Sequence, residues 1–191
     1  MKKLYFFFTL MFAFSIQSQV IITEIADPNN DSQARFIELT NIGDNAFDLT
    51  GYQLVRWTNA NTAYTTSSAV DLTEFGSLQS KGILTLANNN KFETVYGVTP
   101  NKVIGSGGPA DSNGDDNIAI LDPNGSIYDV YGVPGTDGTG KSHEFEDGRA
   151  ERKGSATAPS SSWSSTEWNI DNDAGAGDGA LDAPSGYDPG S

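Results

Sequence analysis

Short apolar runs separated by clusters of turn-forming residues extend over most of the chain, and no stretch keeps a helical period. This pattern is typical of an all-β sandwich or barrel. Runs rich in β-branched and aromatic residues predict strands at residues 20–26, 35–40, 52–57 and 82–87. A single helical turn is expected within residues 88–96, where the period-two pattern is lost.

Two hairpins are expected in the second half of the chain. Residues 117–121 and 127–131 flank the turn DPNG, whose proline presets φ and whose Asn-Gly pair supplies turn conformations. A second hairpin over residues 143–152 would turn at Asp147 and Gly148. That register contains one favourable and one unfavourable cross-strand pair, because it sets one Glu opposite an Arg and another Glu opposite a Glu.

The first residues have the layout of a secretory signal peptide. Lys2 and Lys3 precede an apolar run at residues 4–14, and small or polar residues follow at 15–19. The run is shorter than the roughly 20 apolar residues that a membrane span requires. We therefore expect residues 1–19 to be removed on export, with cleavage between Gln17 and Val20, and the protein to be secreted or at the cell surface.

Composition narrows the class of protein further. The chain has 11 basic and 25 acidic residues, a formal net charge of −14, and no cysteine. Loss of Lys2 and Lys3 with the signal peptide leaves 9 − 25 = −16. Such a surface repels phosphate backbones and favours divalent cations as partners. Exported animal domains often carry disulfides, so their absence here indicates a bacterial protein stabilised by its core.

The chain is expected to divide into three parts. The signal peptide at residues 1–19 precedes one β-sandwich domain at residues 20–170. From residue 171 the composition shifts to Asp and Gly with no Lys or Arg, so residues 171–191 are expected to be irregular or to close the domain.

A series of motifs in a fixed order resembles the lamin tail domain family, in particular its secreted bacterial members. VIITEIADP leads to RFIELTNIGDNAFDLTGYQLVRW, and GILTLA, GDDNIAILDPNGSIYDVYG and GRAERKGSATAPSSSWSSTEWNI follow. The turn at Lys81 and Gly82 matches the family's Leu-x-x-Gly turn only loosely. The order of the motifs makes the resemblance more specific than any single motif.

The resemblance implies an immunoglobulin-like antiparallel β-sandwich that serves as an interaction module and performs no chemistry. It also implies a structural task for the residues that match the motifs, which are Glu24, Glu38, Asn41, Asp48, Gly51, Arg149, Arg152 and Trp168. Glu24 and Glu38 are expected to accept hydrogen bonds from loops or to pair with one of the two arginines, so that Glu38→Gln lowers the melting temperature.

The string GTDGTGKS at residues 135–142 fits the phosphate-binding P-loop pattern. A working P-loop joins a buried parallel strand to a helix N-terminus. Here the following residues carry Glu144, Glu146 and Asp147 and have almost no apolar face. We therefore expect an exposed connection between two β elements, with no bound nucleotide.

Two segments have the oxygen ligands that calcium prefers. Four side chains have a spacing that echoes an EF-hand loop: Asp111, Asn113, Asp115 and Asp122. However, Asp116 stands where that loop needs glycine, and a strand follows instead of a helix. Both a partial calcium site and an acidic, solvated turn remain open. The tail offers a second candidate set, Asp171, Asp173 and Asp178.

The sequence contains no convincing catalytic group. His143 is the only histidine, and no nucleophile-elbow motif accompanies it. His143 beside Glu144 could serve as an acid or base, but a surface residue of the second hairpin is the favoured interpretation. Four aromatic residues are candidates for a binding surface: Trp57, Tyr64, Trp163 and Trp168. Of these, Trp163 and Trp168 are expected to close the end of the sandwich.

The sequence thus predicts an exported, non-catalytic binding or scaffolding module whose partner is a surface protein, a glycan or matrix. The alternative is a calcium-dependent accessory domain of an extracellular hydrolase or nuclease system. No cofactor is certain, and calcium is the one candidate. Direct binding of nucleic acid is not expected.

Overall fold

The computed structural model describes residues 19–29, 31–175 and 186–191. Its strands are β1 (Val20–Ala26), β2 (Phe36–Asn41), β3 (Phe47–Asp48), β4 (Gln53–Trp57), β5 (Val70–Asp71), β6 (Ser77–Leu78), β7 (Ile83–Ala87), β8 (Lys102–Val103), β9 (Asn117–Leu121), β10 (Ile127–Tyr131), β11 (Arg149–Arg152) and β12 (Trp168–Asp171). A short α-helix, α1, spans Lys91–Tyr96. Single 3-10 turns lie at Ser32–Ala34, Thr66–Ser68, Leu72–Phe75 and Ser165–Glu167.

Two parts of the predicted organisation fall on residues that are not described. Apart from Gln19, the predicted signal peptide lies outside the described residues, and so does Asp178 of the tail. Within the described ranges, no helix has both the length and the apolar character to cross a membrane.

The strands form two main sheets that pack face to face. The six-stranded sheet has the order β12-β11-β1-β2-β7-β8, and the four-stranded sheet has the order β10-β9-β4-β5. All neighbours pair antiparallel except β7 and β8. A two-stranded sheet, β3-β6, lies beside them. The predicted immunoglobulin-like antiparallel β-sandwich is confirmed.

Apolar side chains from both main sheets meet in one core. Ile37 and Leu39 of β2 contribute from the six-stranded sheet, and Leu54 of β4 and Ile120 of β9 contribute from the four-stranded sheet. The next residue of β4, Val55, belongs instead to a smaller cluster on the other side of the four-stranded sheet. The alternation along β4 thus follows the two-residue period of a strand whose two faces are both covered.

One extra residue in β1 creates a β-bulge against β2. Ile22 lies opposite Leu39 and Glu24 lies opposite Glu38, so Thr23 has no opposite residue. A regular strand would place Ile22 and Glu24 on the same face. The bulge instead lets Ile22 enter the core while Glu24 points to the outer face, which is the face of the six-stranded sheet turned away from the four-stranded sheet.

The structure confirms one predicted hairpin and corrects the other. β9 and β10 pair around the Asp122 turn, where the Asp122 carboxylate accepts from the amides of Asn124 and Ser126. The hairpin predicted at 143–152 is wrong: β11 pairs with β1 and β12, and residues 143–148 form turns. The reason is the burial of Phe145, which takes the preceding residues away from the surface.

A buried ion pair ties the two main sheets together. Asp129 of β10 accepts from the Ile22 amide at 2.8 Å, from the Ser160 amide at 2.8 Å and from Arg152 Nη1 at 3.2 Å. Arg152 of β11 also donates to Glu167 at 2.6 Å. Because its donors come from both sheets and a loop, Asp129 fixes the position of one sheet against the other.

The described end of the tail returns to the outer face. Tyr187 is buried against Phe36 of β2, with ring centroids 6.4 Å apart. The Gly190 amide donates to the Glu38 carboxylate, and Asp188 pairs with Arg149 at 3.4 Å. Residues 186–191 therefore cover one end of the outer face.

Candidate functional site

A groove runs over the outer face across β11, β1 and β2. It consists of two cavities of about 390 Å³ and about 280 Å³. Both cavities are lined by Thr23, Thr40 and Arg152, so they adjoin one another. We call this feature the outer groove, and the smaller cavity its acidic end.

The acidic end is built by the pairing register. Glu24 of β1 lies opposite Glu38 of β2 on one side and opposite Glu151 of β11 on the other. Asp188 from the tail lines the same cavity. Cross-strand neighbours have Cβ atoms about 5 Å apart, so these carboxyl groups repel one another when ionised.

The guanidinium group of Arg149 contacts three of these four carboxylates. Arg149 Nη1 lies 3.5 Å from Glu24 and 3.4 Å from Asp188, while Arg149 Nη2 lies 3.3 Å from Glu151. Glu38 accepts instead from Thr85 Oγ1 at 3.0 Å and from the Gly190 amide. Of the two expected alternatives, Glu24 thus contacts an arginine, while Glu38 accepts from a side chain of β7 and from the tail.

The two central carboxyl groups bind protons more tightly than usual. Burial, with the nearby Glu38 charge, raises the pKa of Glu24 to about 8, although Arg149 opposes the shift. Burial also raises the pKa of Glu38, against the hydrogen bonds from Gly190 and Thr85. Near neutral pH the protonated form of Glu24 is therefore favoured in the free protein.

The other end of the outer groove is apolar and basic. Ile21, Ile42 and Ala156 line it, with Lys81 and Lys153 at its edge. Its floor continues through Thr23, whose hydroxyl group lies 2.8 Å from that of Thr40. Along its length, the groove therefore changes from negative through neutral to positive.

The P-loop string is exposed only in part: residues 139–142 are exposed, 135–137 are half-buried and Gly138 is buried. Residues 135–142 link β10 to β11, and turns rather than a helix follow them. The Gly140 amide donates to Glu144 Oε1 at 3.0 Å, so a carboxylate of the chain itself occupies one of the amides that a phosphate would use.

The four proposed calcium ligands do not share one site. Asp111 accepts from Arg35 and Asn88, Asp115 accepts from Asn59, and Asn113 is exposed. Asp122 lies at the far end of β9, because the whole strand separates it from Asp115. Among the described residues, no group of three or more His, Cys, Asp or Glu side chains has a metal-site arrangement.

His143 lies in the interior, contrary to the expected surface position. It is 2% exposed, because the turns at 143–148 replace the predicted strand. Burial lowers its pKa, against a hydrogen bond to the Thr136 carbonyl group. Within the described part of the chain, its Nε2 atom has no hydrogen-bond partner.

The remaining motif residues hold turns and strand ends. Asn41 donates to the carbonyl groups of Asn45 at 2.8 Å and Leu78 at 2.9 Å, and Asp48 accepts from Thr50. Gly51 has a φ of 81°, and a Cβ there would lie 3.0 Å from Pro123. Glycine is therefore required for the β9–β10 turn to approach.

The four candidate aromatic residues pack against the protein itself. Trp57 is 6% exposed and meets Tyr64 at 5.4 Å between ring centroids. Trp163 and Trp168 both contact the buried Tyr131 at 4.8 Å. Arg152 stacks on Trp168 at 5.0 Å, so Trp168 belongs to the ion-pair network between the sheets.

Sequence reasoning missed three residues that complete the groove around the Glu24–Glu38 pair, namely Glu151, Lys153 and Asp188. Their role depends on β11 pairing with β1 and on the tail returning to the sheet. The available signal was the row of outward-facing glutamates in motif strands, which is costly in any sheet unless a function or a partner compensates.

Comparison with known families gives one result of consequence. The family model described as Lamin Tail Domain matches residues 15–135. The matched range contains β1 to β10, while β11, β12 and the described tail residues follow it. The search of curated proteins found no match.

Proposed function

The chain belongs to the lamin tail domain family, and from that premise we propose that it is an exported, non-catalytic binding module that engages a surface protein, glycan or matrix partner. The family is one of immunoglobulin-like interaction modules. The observation that carries the proposal is the outer groove, a concave surface with opposite charges at its two ends.

The groove has the properties expected of an interaction surface. The core is already complete between the two sheets, so the groove residues are not needed to fill it. Lys81 and Lys153 lie at its edge, where complementary charges on a partner increase the association rate and the specificity.

The carboxyl groups in the groove support binding better than catalysis. Glu24 and Glu38 resemble the close carboxyl pair of a retaining glycosidase in spacing alone. Glu38 accepts hydrogen bonds from Thr85 and Gly190, and Glu24 contacts Arg149. Both carboxyl groups therefore interact with other groups of the protein itself. His143 is buried in the turns that precede β11, and it does not line the groove.

A blocked-groove variant tests the proposal. Ala156 lines the neutral part of the groove, so Ala156→Trp should fill it. Ala60→Trp, in an exposed loop, is the matched control. The purified proteins would be screened against a glycan array and against immobilised matrix and cell-surface proteins. We expect binding that Ala156→Trp abolishes and Ala60→Trp retains; equal binding by both variants would contradict the proposal.

Assays for turnover and export complete the test. Glycosides, phosphoesters and nucleic acids should not be hydrolysed, whereas turnover that Glu24→Gln or His143→Ala removes would identify an enzyme. Residues 1–19 fused to a reporter enzyme should direct it out of the cell. Retention of the fusion inside the cell would refute the proposed export.

A calcium-dependent accessory domain is the second candidate function. One observation favours it: Asp115 Oδ1 is buried and lacks a hydrogen-bond partner within the described residues. This alternative predicts that calcium raises the melting temperature relative to EDTA and that Asp115→Asn removes the rise. If calcium does not shift the melting temperature, the calcium-independent binding module is the function that stands.

A further inference from the structure

We propose that the acidic end of the outer groove receives a lysine or arginine side chain from an extended segment of a partner protein. This inference rests on the proposed function, since it names the partner chemistry of the same groove. The groove's own charge pattern selects the partner, because a basic residue fits one end and an acidic residue fits the other.

The first step of the argument is a deficit of positive charge. Four carboxyl groups line the acidic end, from Glu24, Glu38, Glu151 and Asp188. The nearby Arg149 is shared among three of them at 3.3 to 3.5 Å, distances longer than a strong charge-assisted hydrogen bond. A second cation would therefore find carboxylate oxygens that Arg149 satisfies only in part.

The second step is the depth of the cavity. Glu24 is 6% and Glu38 3% exposed, so the two deepest carboxyl groups lie at the base of a space of about 280 Å³. Glu151 and Asp188 are more exposed and form the rim. Thr23 and Ile83 line the same space. A long side chain can lay its methylene groups along such a wall and place its charge at the base.

The third step explains why the occupant is a peptide segment. The acidic end adjoins the apolar part of the groove at Thr23 and Thr40, and that part ends at Lys81 and Lys153. A free cation would use the acidic end alone. An extended chain uses the whole groove, with a basic residue at one end, small residues in the middle and an acidic residue at the other.

Proton release should accompany binding. The charged groups that face Glu24 are Glu38, Arg149, Glu151 and Asp188, and Tyr96 of α1 lies near it. A bound cation favours the ionised form of Glu24, whose pKa is raised to about 8 in the free protein. Binding near neutral pH therefore displaces a proton and should tighten as the pH rises from 6 to 9.

A labelled hexapeptide provides the test. The probe has lysine at one end, alanine and threonine in the middle and glutamate at the other end, and fluorescence anisotropy reports binding at about 0.15 M salt. Glu151→Gln combined with Asp188→Asn removes two rim charges at exposed positions. We expect about fivefold to tenfold weaker binding, as for the loss of two partly exposed charge pairs.

A charge-matched control separates the groove from the overall charge of the protein. Glu74→Gln combined with Glu93→Gln changes the net charge equally at exposed positions outside the groove. This variant should bind the probe like the unmodified protein. Equal weakening in both double variants would show only attraction to a chain with net charge −14, and the proposal would be overturned.

Two further probes test the lysine and the peptide separately. Replacing the lysine of the probe by norleucine should abolish binding, and undiminished binding would overturn the role of the cation. Spermidine should compete only weakly; full competition at equal concentration would assign the site to free polyamines instead. If the peptide fails while Ala156→Trp still blocks another ligand, this inference falls and the proposed binding module stands.

Discussion

Asp129 between the sheets and Glu24 on the outer face are both buried carboxyl groups, but the donors around them differ. Asp129 accepts from Arg152 and from two backbone amides, at 2.8 to 3.2 Å. Glu24 has a 3.5 Å contact with Arg149, which two other carboxylates share. The first arrangement offsets more of the cost of burying charge than the second, although burial raises the pKa of Asp129 as well as that of Glu24.

The carboxyl group of Asp129 therefore stabilises the sandwich, whereas the carboxyl groups around Glu24 are open to a ligand. A buried carboxylate that already accepts from two backbone amides and an arginine gains little from a further ligand. A crowded group of carboxyl groups in an open cavity gains from any cation that reaches it. The following predictions test this contrast, beginning with the largest expected effect.

Asp129→Asn should cause the largest loss. The substitution leaves the buried Arg152 with Glu167 as its remaining carboxylate partner, which costs about 3 kcal/mol in the free energy of unfolding, the lower end of the range for a broken buried pair. Urea denaturation followed by tryptophan fluorescence measures the change. Glu151→Gln, one residue before Arg152 but partly exposed, should stay within about 0.5 kcal/mol. Similar losses in the two variants would remove the contrast.

Glu38→Ala should come next. The Gly190 amide and the Thr85 hydroxyl group would lose their acceptor, at a cost of about 1–3 kcal/mol. Hydrogen exchange at the Gly190 amide should become faster as the tail detaches. Glu38→Gln keeps an acceptor oxygen, so its effect on melting temperature should be a fraction of this. An equal effect of both variants would mean that the charge matters more than the hydrogen bonds.

Glu24→Gln should change the pH dependence of stability. The folded protein holds the Glu24 proton with a pKa of about 8, against an ordinary value of 4.5. Its contribution to stability is therefore fully present below pH 4.5 and is lost as the pH rises through 8. The variant should melt near the unmodified protein at pH 4.5 and above it at pH 9, by roughly 3–8 °C for about 1–2 kcal/mol. Parallel melting curves at both pH values would contradict this.

His143→Gln should have a smaller effect in the opposite pH direction. Burial lowers the pKa of His143 below 6.5, so its contribution to stability is present above pH 6.5 and is lost as the pH falls. The unmodified protein should lose stability between pH 7 and pH 5 more steeply than the variant. Thermal melts in that range measure the slope, and identical slopes would show that the imidazole does not titrate on unfolding.

Local signals explain how much of the fold could be predicted. The alternation in VIITEIA and the DPNG turn predicted β1 and the β9–β10 hairpin, because strand faces and tight turns depend on neighbouring residues. The pairing of β11 with β1 could not be predicted in the same way. It joins residues more than 120 positions apart, and the local Asp147–Gly148 pair indicated a hairpin instead.

The same limit applies to the candidate site. Glu24 and Glu38 could be identified from the motif strands, but their burial depends on residues 186–191 and on β11. Asp129 lies in IYDVY, where a surface position and a position between the sheets look alike. Its partners Ile22, Arg152 and Ser160 come from distant parts of the chain. Tertiary contacts, rather than residue type, decide which carboxyl group stabilises and which is open to a ligand.

The β-bulge at Thr23 makes this strand more tolerant of a deletion at one position than at its neighbours. Ile22 and Glu24 already lie opposite consecutive residues of β2, so deleting Thr23 would give a regular strand that keeps Ile22 in the core and Glu24 on the outer face. Deleting Ile22 instead would bring Thr23 or Ile21 to its core position. Loss of one residue should consequently be accepted at Thr23 and not at Ile22 among functional variants.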